Sequence, residues 1–541
     1  MSPRLHGNRS NIHASKLNLD LGPYVFTTMR TMHAILGVLL LSNVYCENNV
    51  KSLNILAILP FEGRSHWFVF EPYLLELANR GHKLTVISHF PRSTPIPNYR
   101  DISLKGTVQI LENHLDVETP FWKPFYMVYF LFSKGTYNCN NMLKNKEVQA
   151  LWKNKENYDV ILYEMFNSDC ALGLAHQFNA PTVALTSCAL LPMHYDRFGI
   201  PYNPSYVPLI MFGGGFHPNL FQRIHRQLFH TGFNFLYKNY QQRNDEKILA
   251  QYFDNVPPLE ELARETKIVL LNHNFPLTGS RLFPANVIEV GGMHVAKPKP
   301  LEKELTKFIE ESKHGVIFIS LGTMLKASTL KKDKLESIVK TIEKLPQRVV
   351  WKWSGKLPGN LKNAYVSDWF PQNDVLAHPN VIAFYSHAGM LSSTEAIQNG
   401  VPMVVMPIFG DQPSNAAAVE DCGLGVQVLL QDLNEQNLLA AFKKILEPKF
   451  RAYVKNLSNL WNDRPLSAMD TAIYWTEFAA RNGNFSFRTR AADVPLYQYL
   501  CLDIILVLSL VGFVTLYVTK KVLCKIFPSK KGKVSKKNKK E

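Results

Sequence analysis

The sequence predicts an α/β protein of two doubly wound domains facing a cleft, continued by one transmembrane helix. Three observations carry this: two separate series of short apolar strands alternating with amphipathic stretches, a Pro-rich joint between the series, and a late apolar run followed at once by lysines. Strand–helix alternation of this kind buries one stripe of each helix against a mostly parallel sheet. A chain of 541 residues, 46% of them hydrophobic, can fill at least two such cores.

Residues 1–46 read as a polar preamble and a signal peptide. Arg30 precedes the apolar run from Ala34 to Leu41, which is too short to span a bilayer and ends near Val44-Tyr45-Cys46. The polar stretch before it favours a start at Met29 or Met32, an uncleaved anchor being the other reading. The first domain, residues 47–294, opens with a strand from Leu53 to Leu59, a helix from Trp67 to Asn79 with Gly81 after its end, and a strand from Leu84 to Ser88. The rhythm returns in Tyr158 to Tyr163, Ala171 to Phe178 and Thr182 to Leu185. Residues 90–150 and 192–255 are rich in aromatics, Pro and Gly without a clean period, and read as loops and helices around a pocket.

After Gly291-Gly292-Met293-His294, residues 295–300 (Val-Ala-Lys-Pro-Lys-Pro) form a semi-rigid linker. The second domain, residues 295–485, then runs strand Val316 to Leu321, helix Leu330 to Lys344, strand Arg348 to Lys352, strand Val381 to Tyr385, helix Leu391 to Gln398 closed by Asn399-Gly400, strand Met403 to Met406 and helix Ser414 to Cys422. Ligands of such sheets sit at the carboxyl ends of the strands. Residues 486–499 are juxtamembrane. Residues 500–519 form the transmembrane helix, since about 20 apolar residues at ~1.5 Å each cross a ~30 Å hydrocarbon core. Residues 520–541 are a Lys-rich tail.

The formal charge is +16, but ten lysines and one glutamate from Lys520 onward supply +9 of it. The remainder shows no basic and aromatic stripe, so nucleic acid is excluded as a partner. Lys520, Lys521 and Lys525 put the tail in the cytosol and everything before Leu500 in the lumen. Lys537-Asn538-Lys539-Lys540-Glu541 places lysines third and fifth from the end, as in a dilysine retrieval signal, which makes the expected location a single-pass protein of the endoplasmic reticulum membrane. The seven cysteines show no paired CxxC spacing and form no zinc cage; one pair could bridge in the lumen, and which pair stays open. Asn456-Leu457-Ser458 and Asn484-Phe485-Ser486 are acceptor motifs for glycans.

The chemistry is densest from Trp369 to Asn415: Trp369-Phe370-Pro371-Gln372, Ser386-His387-Ala388-Gly389, Glu395, Gly400-Val401-Pro402, then Asp411-Gln412 and Asn415. This frame resembles the donor-binding signature of the UDP-glycosyltransferase family, which includes the animal UDP-glucuronosyltransferases and plant secondary-metabolite glycosyltransferases. The likeness covers nearly the whole second domain and extends to the signal peptide, span and lysine tail. It implies two Rossmann-like domains in the GT-B arrangement and a UDP-sugar as co-substrate. His387 and Gly389 then lie between a strand and a helix, where backbone N–H groups meet a pyrophosphate; the helix dipole alone favours an anion there by about 0.3–2 kcal/mol. Glu395 can accept hydrogen bonds from both ribose hydroxyls, and Trp369 can stack on uracil for ~1–3 kcal/mol. Gln372 and Ser392 belong to the same donor set, Asp411 and Gln412 can hold sugar hydroxyls, and Ser320, Gly322 and Thr323 can touch the phosphates or the sugar. Relatives carry Asn four residues after the signature histidine. Leu391 stands here, so that polar contact is missing or supplied by Ser392 or Ser393.

In Gly63-Arg64-Ser65-His66-Trp67, His66 starts a helix, a place that leaves the ring able to accept a proton. The resemblance implies that His66 deprotonates an acceptor hydroxyl while a carboxylate orients it. Two carboxylates compete: Glu164, at the strand end where relatives carry Asp, and Asp169, one short loop further, whose plain alternative is a helix N-cap. Asp169 is preferred. No Asp-x-Asp, G-x-G-x-x-G or G-x-x-x-x-G-K-[ST] occurs, so no metal and no further cofactor is expected, the helix dipole and His387 standing in for a cation at the departing UDP.

The expected reaction is an inverting hexosyl transfer to a small lipophilic alcohol or phenol, in detoxification or metabolite conjugation. An arthropod-like style of the signature implies UDP-glucose over UDP-glucuronate. Phe121, Trp122, Phe125, Tyr126, Tyr129, Phe130 and Phe132 either line the acceptor pocket or pack a helix. A non-catalytic lumenal binding protein or subunit with the same donor fold is the competing class; the presence of His66, Glu395, Asp411 and Gln412 argues against it. The run from Met469 to Ala480 is expected to cross back over the first domain, and an oligomer stays open.

Overall fold

The computed structural model describes residues 51–112, 115–116, 123–213, 215–323, 325–326, 329–355 and 361–527. The signal-peptide run, the dilysine end, Phe121 and Trp122 lie outside them. The first sheet consists of β1 (Asn54–Leu59), β2 (Lys83–Ser88), β3 (Tyr99–Ser103), β4 (Val160–Glu164), β5 (Thr182–Leu185), β6 (Ile268–Leu271) and β7 (Val287–Glu289), in the order β3-β2-β1-β4-β5-β6-β7. Every pairing is parallel. The second sheet has β8 (Val316–Ser320), β9 (Arg348–Lys352), β10 (Ala364–Ser367), β11 (Val381–Ser386), β12 (Met403–Val405) and β13 (Gly425–Gln427), in the order β10-β9-β8-β11-β12-β13, again parallel throughout.

Parallel strands covered by helices on both faces read as continuous apolar runs. β1 and β8 show why. Leu56 and Ile58 join one core while Ile55, Ala57 and Leu59 join another on the opposite face. Ile317 and Ile319 likewise part from Val316 and Phe318. In each sheet the strand order reverses beside the first strand, at β1/β4 and at β8/β11, and the crevices beyond these strand ends are where such folds hold ligands.

The helix Ala468–Arg481 leaves the second domain and packs on the first, its Ala472, Ile473 and Ala479 joining the core under β1. Tyr73 hydrogen-bonds Thr476, His82 meets Glu477 at 3.2 Å, and Arg80 pairs with Asp470, so the two lobes are tied by polar as well as apolar contacts. The last described helix, Leu502–Ile526, is long and apolar enough to cross a membrane and includes Lys520, Lys521 and Lys525, so it continues past the predicted apolar segment. The segments without a sequence period hold regular helices, Lys123–Lys144 and Leu220–Leu236 among them.

Candidate active site

Between the domains lies a cavity of about 440 Å³, within the size range of small-ligand sites. His66, Ser320, Gly322, Thr323, Trp369, Gln372, His387, Gly389, Ser392, Glu395, Asp411 and Gln412 all line it; Asp169 does not. His66 is the third residue of the helix Arg64–Asn79, and its backbone N–H donates to Gly63. Its ring sits between Phe61 and Phe166, with both centroids 4.5 Å away. Nδ1 lies 2.5 Å from Glu164 Oε1 and 2.7 Å from Ser187 Oγ, which leaves Nε2 as the nitrogen free to work.

The partner of His66 is therefore Glu164, not Asp169. Glu164 closes β4 beside β1, and its extra methylene lets the carboxylate reach across to the imidazole. Asp169 is turned into the domain, where Arg197 holds it through two hydrogen bonds, Nη1 to Oδ1 at 2.9 Å and Nη2 to Oδ2 at 2.5 Å. It occupies the N-cap position of the helix Cys170–His176, yet its side chain makes no capping bond. Ser187 was not visible as a site residue, because only the path of the loop after β5 brings it to the ring. Ser187→Ala removes one of two neighbours sharing a single N–H; it is expected to lower kcat up to roughly tenfold, the equivalent of one hydrogen bond of about 0.5–1.5 kcal/mol, with UDP affinity unchanged in a titration.

The opposite wall is built at the ends of β8, β9 and β11. His387 follows β11, and Gly322 and Gly389 exist to let it in: a Cβ on either would come within 2.6 Å of its Nε2. Burial, helped by the charge of Lys352, lowers the His387 pKa to about 4. It thus enters as a neutral hydrogen-bonding ring. Lys297, Lys299 and Lys352 bring positive charge to the cavity; Lys352, the last residue of β9, donates from Nζ to the Gly322 carbonyl at 3.1 Å and lies 4.5 Å from the Trp369 ring centroid. Desolvation pulls its pKa down, so an anion between it and the N-terminus of helix Met390–Asn399 would be doubly welcome. A lysine ending a buried strand gave no signal in the sequence.

Gln372 Nε2 donates to Glu395 Oε2 at 2.6 Å and to Ser392 Oγ at 3.0 Å, which links three of the residues expected to hold the donor. Burial raises the Glu395 pKa to about 7. Leu391 packs against the first domain's core and lines the cavity; both serines are buried, and of the two only Ser392 reaches the cavity wall. Asp411 accepts from Asn415 Nδ2 at 2.8 Å; burial lifts its pKa, and the nearby His66 opposes the lift. The Gln412 carbonyl oxygen accepts from the backbone N–H groups of Ile408 and Phe409, so its amide N–H₂ is the part left for a ligand. Among the described residues no three His, Cys, Asp or Glu side chains converge as metal ligands would.

Comparison with known proteins agrees with this geometry. A family model described as "UDP-glucoronosyl and UDP-glucosyl transferase" matches residues 54–539. The chain is 35% identical to UDP-glycosyltransferase UGT5 of Dactylopius coccus over 84% of its length and 88% of that protein. It is 33% identical to UDP-glucosyltransferase 2 of the same insect, over 90% and 96%, and 30% identical to human UDP-glucuronosyltransferase 1A8, over 90% and 94%. In fold it is similar to the glycotransferase of kitacinnamycin (TM-score 0.53, 17% identity, 79% of this chain and 99% of that one). It is similar also to CalG4, the calicheamicin glycosyltransferase (0.51, 18%, 80% and 99%), which makes the architecture GT-B. A family match spanning both sheets, joined to relatives that the chain covers almost end to end, leads to one conclusion: the chain belongs to the UDP-glucuronosyl and UDP-glucosyl transferase family, and it is a UDP-glycosyltransferase.

Proposed function

We propose that the protein transfers glucose from UDP-glucose, with inversion and without a metal, to the hydroxyl of a small lipophilic alcohol or phenol, in detoxification or metabolite conjugation. The observation that carries this reading is the Glu164–His66 pair, set beside Asp411 in a cavity that the donor residues line on one side. The other side is apolar: Met127, Phe130, Leu131, Leu191 and Ile210 line it, which suits a lipophilic acceptor. The acceptor O–H gives its proton to His66 Nε2 as its oxygen attacks the anomeric carbon opposite the UDP oxygen; the C–O bond to UDP breaks and the linkage turns from α to β. Glu164 steadies the imidazolium. The charge gathering on the departing diphosphate meets the N-terminus of helix Met390–Asn399 and Lys352.

A neutral hexose is favoured over glucuronate because the chain is more similar to the insect UDP-glucosyltransferase 2, at 33% identity, than to human UDP-glucuronosyltransferase 1A8, at 30%. Anchoring through Leu502–Ile526 in the endoplasmic reticulum, with both domains lumenal, is supported by the Cys139–Cys170 disulfide, a bond that persists in oxidising compartments. Microsomes carrying the full chain, given labelled UDP-glucose or UDP-glucuronate and a panel of phenols, are expected to form β-glucosides, equally with and without EDTA. An α linkage, or no product from either donor, would refute the reading.

Glu395 gives it a pH signature. In the free enzyme its carboxyl holds a proton up to about pH 7, whereas two ribose hydroxyls favour the carboxylate. Binding therefore releases a proton, and UDP-glucose affinity should rise as pH goes from 6 to 8, by up to about tenfold per unit below 7. UDP-glucose itself has no ionisation in that window. In Glu395→Gln the affinity should be weaker and flat with pH, as read by calorimetry.

A further inference from the structure

The segment that joins the two domains is a wall of the cavity as well as a tether. His294, Ala296, Lys297 and Lys299 all line it. Its backbone is fixed to the second domain: Asn373 Nδ2 donates to the Ala296 carbonyl at 2.9 Å, and the Lys299 backbone N–H donates to Asp374 Oδ1 at 3.0 Å. Both partners belong to the short helix Gln372–Leu376, whose first residue bonds Glu395 and Ser392.

Within this segment His294 is only 8% exposed, and among the described residues neither of its ring nitrogens has a hydrogen-bond partner. A buried polar group left unbonded costs stability, and on the wall of a ligand cavity the missing partner is a ligand atom. The backbone of Leu391 is near enough to bear on the ring's protonation without bonding either nitrogen. Leu391 and Glu395 stand one turn apart on the helix Met390–Asn399, so His294 and Glu395 border the same stretch of the cavity. Burial pulls the His294 pKa down to about 4, so at neutral pH the ring is uncharged and has one N–H to give.

We propose that His294 is a further donor-binding residue, its N–H donating to a ribose hydroxyl oxygen of the UDP moiety. The inference rests on the placing of the ribose at Glu395 described above. A carboxylate that accepts from both ribose hydroxyls takes up their protons and leaves two oxygens that still accept, and an imidazole N–H meets that need. The ring nitrogens are shielded from water, but χ2 of a histidine is a soft torsion, so a small turn presents the N–H to the ligand. The donor is then held by the joint between the domains as well as by the second domain.

The test compares the full chain with His294→Leu, by calorimetry with UDP, 2′-deoxy-UDP and 3′-deoxy-UDP and by thermal melts without nucleotide. Leucine removes the N–H and strands no protein group, so the variant is expected to melt no lower than the parent. Its UDP affinity is expected to fall about three- to tenfold, the equivalent of one hydrogen bond. The loss should vanish with one deoxy analogue, the one lacking the hydroxyl that His294 meets, and persist with the other. Equal UDP affinity in parent and variant would overturn the inference. So would an undiminished loss with both analogues, which would put the contact on the base or the diphosphate. A variant that melts below the parent would make the ring structural and overturn it as well. A parent that binds none of the three nucleotides would remove the donor reading itself, and the inference with it.

Discussion

His66→Ala is expected to lower kcat by about 10²–10⁴-fold, the usual range for a lost general base, and to leave UDP affinity intact. The separation of the two effects follows from the architecture. His66 belongs to the helix after β1, whereas the groups proposed to face the diphosphate are on the other sheet, His387 and Gly389 after β11 and Lys352 at the end of β9. Nothing in the donor wall depends on the imidazole for its position: Gln372, Glu395 and Ser392 hold one another, and Asp411 is held by Asn415. Single-turnover measurements with UDP-glucose and a phenol, set beside a calorimetric titration of UDP, separate the quantities. A variant that turns over at the parent's rate removes the proposed base, and one that loses UDP affinity in parallel would mean that the ring's role is structural.

What the sequence made legible follows from how each element meets water. β1, β4, β8 and β11 are buried on both faces, so they appear as unbroken apolar runs. β3 is the edge strand, with Arg100 and Asp101 in its five residues, and reads as a loop. The helices Lys123–Lys144 and Leu220–Leu236 were hidden because large aromatic side chains stand on their exposed as well as their buried sides, so composition does not mark the buried face. That the signature residues share one wall of the cavity was legible because most of them lie in one stretch, in order, from Trp369 to Gln412. The carboxylate beside His66 was not, because Glu164 ends the strand that Asp169 soon follows and the choice depends on Arg197, a residue remote in sequence that claims Asp169. Lys352 escaped because its chemistry lies in a neighbour, Trp369, that only the pairing of β9 with β10 brings alongside.

Because Glu164 and Asp169 stand five positions apart, exchanging their roles makes opposite predictions. Glu164→Gln is expected to cost on the order of 10²–10⁴ in kcat, through loss of the charge that orients and stabilises the imidazolium, with little change in thermal stability. Asp169→Ala is expected to cost about 3–5 kcal/mol of stability, the penalty for stranding a buried charge. Arg197 is fully buried and is also bound by Glu260, at 3.0 Å from Nε, but Glu260 is already shared with Arg264, at 3.1 Å. The remaining neighbour cannot compensate. That neighbour is the Tyr237 ring, 5.3 Å from the guanidinium carbon, and burial keeps its hydroxyl protonated, so it supplies no anion. For a domain of 150–250 residues such a loss lowers Tm by roughly 10 °C. Thermal melts of the full chain, paired with kcat at a temperature where every variant is folded, distinguish the two carboxylates. If Asp169→Ala kept the parent's Tm and lost turnover instead, the assignment of Glu164 as partner of His66 would have to be reversed.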